Sequence, residues 1–130
     1  MRTNIFHKSK SVAALASGAV TLTTNGSSVD LLQGGAGDYR TALFVVQAGT
    51  VTDGTFAVTL EHSDDDSAWD AAPAHGTASF TSTDSGVVRD LGYDGQKRYC
   101  RCVVTVSGAP VTGGVLAAAA VLYDSAGYQR

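Results

Sequence analysis

From Gly54 to Trp69 the apolar and polar positions alternate with a period of two. Phe56, Val58 and Leu60 fall on one side, and Thr55, Thr59 and Glu61 on the other. That period predicts a half-buried strand. The run Ser63-Asp64-Asp65-Asp66-Ser67 then supplies side chains suited to a tight turn before a second strand opens at Trp69. Similar short apolar runs, punctuated by Gly, Asn, Asp and Ser, predict strands over residues 20–24, 29–32, 41–47, 87–91 and 97–107. Asn25-Gly26 and the Gly92-Tyr93-Asp94-Gly95 segment read as hairpin turns. The unbroken run Ala42-Leu43-Phe44-Val45-Val46 predicts a strand covered on both faces. Between 97 and 107, Cys100, Cys102, Val104 and Val106 share one face, while Tyr99, Arg101, Val103 and Thr105 share the other.

Residues 115–122 are Ala-rich enough for a helix on propensity alone. The Gly113-Gly114 start and the short length favour a buried strand. Small side chains on both of its faces would let another layer or another subunit approach closely. The whole pattern is that of an all-β antiparallel sandwich. The 130 residues suit a single domain, placed at 19–130, with residues 1–18 as a flexible amino-terminal arm. The expected core includes Phe56, Val58, Leu60, Cys100, Cys102, Val104 and Val106, with Trp69 covering one end of it.

Composition narrows the class. At 44% hydrophobic the chain has the material for a packed core, and at 16% charged it falls below the usual quarter or so. That shortfall leans toward a surface covered by neighbours. Net charge is −3 with no long basic tract, so no nucleic-acid groove is expected. Nor does any stretch approach the ~20 apolar residues that cross a bilayer, and no membrane partner is expected. The positive exception is local: Arg2, Lys8 and Lys10, with His7, form a basic start that could order on an acidic partner surface. The Ala-rich stretch that follows loosely mimics a secretory signal, but its apolar run is short and holds one Leu.

Candidate chemistry is sparse. Cys100 and Cys102 stand two apart, where a disulfide would strain a strand, and no second pair or His cluster stands at zinc spacing. They read as small buried apolar residues. His7, His62 and His75 sit in no catalytic motif, so no enzyme and no cofactor is expected. Glu61, Asp64, Asp65 and Asp66 lack the spacing of a calcium loop, which favours an ordinary turn over a metal site. Trp69 leaves open a secreted sugar- or cell-surface-binding module.

Three segments in order resemble small decoration, or cement, proteins of tailed-bacteriophage capsids. They are Asn25-Gly26-Ser27-Ser28-Val29-Asp30-Leu31-Leu32, the run from Gly49 through Phe56 to Asp66, and the run from Gly92 through Tyr99 to Gly108. The likeness covers roughly residues 19 to 124. It implies a jelly-roll-like sandwich on the outer surface of a phage head, made in the bacterial cytoplasm. There it would bridge subunits of the major capsid protein as a homo-dimer or homo-trimer. A tail or head–tail joining component is the neighbouring alternative. The chain departs from the family pattern at Cys100 and Cys102, where β-branched residues are usual, and at His62 and Asp66 around the turn. The family supplies no motif of binding residues. Arg2, Lys8 and Lys10 are the expected capsid contacts on charge alone.

Overall fold

The computed structural model describes residues 9–32 and 41–123. They form ten strands: β1 (Ser9–Val20), β2 (Thr24–Asn25), β3 (Val29–Asp30), β4 (Thr41–Val51), β5 (Thr55–Ser63), β6 (Asp70–Ala71), β7 (Ala78–Phe80), β8 (Val88–Tyr93), β9 (Tyr99–Ser107) and β10 (Gly114–Tyr123). One sheet has the order β1-β10-β4-β8. In the other, β9 and β5 are central, with β2 and β3 along β9 and with β6 and β7 along β5. Every pairing is antiparallel.

The pairings are nested. β1 joins β10, β2 and β3 join β9, β4 joins β8, and β5 joins β6 and β7. A long hairpin of four such pairs, rolled so that alternate pairs fall in different sheets, is a jelly roll. The inner faces supply one core. Ala42, Phe44, Val46, Ala48, Leu116, Ala120 and Leu122 of the first sheet meet Phe56, Val58, Leu60, Phe80, Cys100, Cys102 and Val104 of the second. Large and small residues alternate across it: Phe44 pairs with Ala120 in register, which leaves depth for the ring. Val106 is partly buried against this core.

Several expectations change. Residues 9–18 are not an arm but most of β1, paired along β10 with Ala14 and Leu15 buried. Their Ala and Ser side chains give no hydrophobic contrast, and bulges at Ala13/Leu15 and Leu15/Gly18 break the period. Residues 20–24 are not one strand: Val20 ends β1, Thr24 opens β2, and 21–23 connect them. Asn25-Gly26 is not a hairpin turn. Gly26 N–H donates to the Cys102 carbonyl at 2.7 Å, and a Cβ there would collide with the Ala14 carbonyl and the Cys102 sulfur. Glycine is needed for close approach, not for turning. Gly92–Gly95 does not close a hairpin either, because β8 belongs to one sheet and β9 to the other. β4 is buried on one face only, with Leu43 exposed on the other.

Candidate interaction surfaces

The outer face of the β1-β10-β4-β8 sheet is built in rows fixed by register. One row runs Ser11, Val121, Leu43, Gly92, and the next Ala13, Ala119, Val45, Asp90. A third carries Ala117, Gln47 and Val88. Val88 is 50% exposed, Leu43 41% and Val115 37%. Among the described residues of these rows, Asp90 is the one charged side chain. Val115 lies over Gly49, whose missing side chain keeps the surface low. Contiguous apolar area of this kind, outside a core, marks an interaction surface.

The outer face of the second sheet has the opposite chemistry. Glu61 and Arg101 are direct cross-strand partners. The Arg101 Nε and Nη2 groups both donate to Glu61 Oε1, at 3.0 and 2.7 Å. The same guanidinium lies 4.2 Å from the Trp69 ring centroid. Trp69 is therefore half-buried as a surface stack and does not cover the end of the core. Beside it, Arg98 donates to both Asp30 oxygens at 2.9 Å and rests 4.9 Å from the Tyr99 ring centroid. That hydrogen bond is the main cause holding the Asp30 carboxyl below its ordinary range. Lys97 Nζ donates to Asp70 at 3.1 Å and lies 3.7 Å from Asp64, and its pKa is raised chiefly by the Asp70 bond.

The acidic turn is engaged internally. Asp65 Oδ1 accepts from the Ser67 and Ala68 amides at 3.0 Å each and from the Ser63 hydroxyl at 2.9 Å. The Ala68 amide contributes most to lowering the Asp65 pKa. Asp66 takes the left-handed backbone, φ 60°, that closes the turn. Among the described residues no group of three or more His, Cys, Asp or Glu is placed to hold a metal ion.

The remaining candidates have structural partners. His62 Nδ1 is 2.9 Å from the Tyr93 hydroxyl, whose pKa burial raises, and His75 Nε2 is 3.1 Å from Asp94. Cys100 and Cys102 face the core, as their spacing predicts, and burial pushes their thiols up to about 12 and about 11. A shallow groove of about 260 Å³ lies between the edges of the two sheets, lined by Leu15, Gly18, Asn25 and Gly26 among others. Lys10 is an exposed β1 residue opposite Leu122, and Arg2 and Lys8 lie outside the described residues. No helix among the described residues is long and apolar enough to cross a membrane.

No protein-family model matches the chain, and no curated protein matches it.

Sequence reasoning allowed a second subunit over the Ala-rich strand 115–122 but assembled neither surface. The apolar face was hidden by the expectation that β4 is covered twice. The Glu61–Arg101–Trp69 stack needs the β5–β9 register, which no local pattern supplies. The strict alternation of Cys100, Arg101 and Cys102 was the available signal that Arg101 points outward.

Proposed function

We propose that this chain is a structural virion protein that decorates the outer surface of a tailed-phage capsid and cements it by bridging major capsid protein subunits. The observation that carries the reading is a jelly roll whose two outer sheet faces are both usable surfaces of contrasting chemistry, one apolar and one charged. A cement protein must meet several neighbours at once, and modest contacts then combine through avidity. The ordered resemblance lends further support. Its three segments, distant in sequence, contain β2 and β3, β5, and β9, which are adjacent strands of one sheet. They amount to one contiguous surface rather than three unrelated turns.

In this reading the basic start, Arg2 and Lys8 with Lys10 at the head of β1, reaches acidic coat surface. Removing residues 1–8, which leaves Ser9–Val20 of β1 in place, should lower head occupancy while circular dichroism shows the sandwich still folded. A sugar-binding reading needs an open aromatic platform, and Arg101 already lies over one face of Trp69. Reconstruction of intact particles is the deciding experiment. Sandwich-shaped density over the shell at near-parity with coat protein is expected. Density confined to the tail or to the head–tail joint, or a copy number of a few per particle, would overturn the proposal.

A further inference from the structure

We propose that the outer face of the β1-β10-β4-β8 sheet is a self-association surface, on which a second copy of this chain packs face to face about a two-fold axis running along the strands. The inference holds wherever the protein resides, and does not rest on capsid placement.

Area is the first argument. Four strands about 4.8 Å apart, with a rise near 3.4 Å per residue over most of β10, give a face of about 600 Å². Paired with itself, that face buries about 1,200 Å², where specific protein interfaces begin. Two sheet faces packing about 10 Å apart repeat the geometry that already forms the interior of this sandwich.

Charge is the second. The face carries Asp90 and, at its β8 edge, His75 over Gly92 with Asp94 3.1 Å from its ring, and is otherwise free of charge in these rows, so the position of these groups selects the axis. With the axis along the strands, β1 lies over the second copy's β8, and β10 over its β4. The two Asp90 side chains then fall at opposite edges, about 14 Å or more apart, where solvent and salt screen them. An axis across the strands would instead set β8 on β8 and bring the two carboxylates together.

Side-chain size agrees. Ala13 and Ser11 on β1, and Ala119 at the centre of β10, are small, whereas Leu43, Val45 and Val88 occupy the other half. The strand-parallel axis sets Ser11 and Ala13 against the second copy's β8 and Ala119 under its Val45, while Val121 meets its Leu43 in an apolar contact. The second sheet could not substitute, because its face is occupied by ion pairs already closed within one chain.

The test is the solution mass of the full chain by light scattering after size exclusion, with Ala119→Arg on the proposed face and Thr59→Arg on the other sheet as the matched control. At about 10 µM, wild type and Thr59→Arg should show twice the chain mass and Ala119→Arg a single mass, a loss of at least about 100-fold in dimer affinity. Circular dichroism and a thermal melt confirm that each variant folds. If Ala119→Arg does not fold, Leu43→Lys is read in its place, since Leu43 is already 41% exposed. A single mass for wild type at about 100 µM overturns the proposal. So does a doubled mass in the folded face variant. A monomeric wild type whose Ala119→Arg form no longer attaches to purified heads would assign the face to coat protein, overturning self-association while sparing the proposed function. A dimer that never attaches to heads would overturn only the latter.

Discussion

On the outer face of the β1-β10-β4-β8 sheet the cross-strand neighbours are Val121 with Leu43 and Ala119 with Val45. On the outer face of the other sheet they are Glu61 with Arg101, and further along β9 Asp30 with Tyr99 under the Arg98 guanidinium. Both sheets use strict alternation to fill one interior, so the inner faces hardly differ in chemistry. The outer faces differ because alternation places no demand on them. The charged face satisfies itself: Glu61 and Asp30 each hold an arginine, Asp64 and Asp70 share Lys97, and both guanidiniums lie on rings. The apolar face satisfies nothing within one chain and leaves Val88, Leu43 and Val115 in water. Burying an exposed apolar side chain is favourable by about 25 cal/mol per Å², so the gain still open to this molecule lies on that face.

The comparison assumes a common, dry interior, and the largest expected effect tests it. With thiols pushed up to about 12 and about 11, Cys100 and Cys102 carry almost no thiolate at pH 8. A thiol reagent should label the native chain more than about 200-fold more slowly than the unfolded chain, whose cysteines titrate near 8.5. Labelling of either cysteine at the unfolded rate would mean that β9 does not present that face inward.

Next in size, Phe44→Ala and Phe56→Ala remove fully buried rings from the inner faces of opposite sheets. Each should destabilise the fold by about 3–5 kcal/mol in urea unfolding, the usual cost of a lost ring plus its cavity. Similar losses would show that the sheets are equivalent inside. A loss under about 1 kcal/mol at either site would break the symmetry on which the outer contrast rests.

The division between the faces was only partly legible in the sequence. β5 and its acidic turn could be read because Phe56, Val58 and Leu60 alternate with polar residues and Asp residues form Asx turns locally. The inward pair Cys100 and Cys102 and the strand nature of β10 were legible for the same reason. β1 was not, since Ala against Ser carries almost no contrast and two bulges shift its phase. Asp94-Gly95 is a genuine turn signal, yet what lies on either side is settled by distant pairings, β8 with β4 and β9 with β5. The run Leu43-Phe44-Val45 reads as a strand covered on both faces, yet Leu43 and Val45 fall on the face away from the core and Leu43 stays 41% exposed, because an unbroken apolar run does not say which of its faces meets the other sheet.

Acid should act through carboxyls that hydrogen bonds hold ionised, at both sheets and on a connecting loop. Asp30 is held below its ordinary 3.8 chiefly by Arg98, and Asp65 chiefly by the Ala68 amide. Asp53, on the Val111 amide first, and Asp84, on the Thr81 amide first, are lowered as well. A carboxyl whose folded value is depressed contributes stability that is fully present above its unfolded value. That contribution is lost as pH falls through the folded one. Stability should therefore hold from pH 7 down to the ordinary carboxyl value and fall below it. Asp30→Asn and Asp65→Asn should each flatten that decline, as followed by urea midpoints from pH 7 to pH 3. Midpoints in both variants that drop as steeply as wild type would remove these carboxyls from the account.

The smallest effect separates the faces most directly. Glu61 and Arg101 are partly exposed, so a double-mutant cycle with Glu61→Gln and Arg101→Gln should give a coupling of only about 0.5–1 kcal/mol at low salt. In 1 M salt, where the screening length is about 3 Å, that coupling should shrink toward zero. Leu43→Ser on the opposite face should leave monomer stability within about 0.5 kcal/mol. Its weakening of self-association should survive the same salt, because apolar contact is not screened. Coupling on the charged face that resists salt would mean that packing of Arg101 on Trp69, and not screened charge, couples Glu61 to Arg101. Self-association that dissolved in salt would mean that charge outside the described rows, and not Leu43 and its neighbours, holds the copies together.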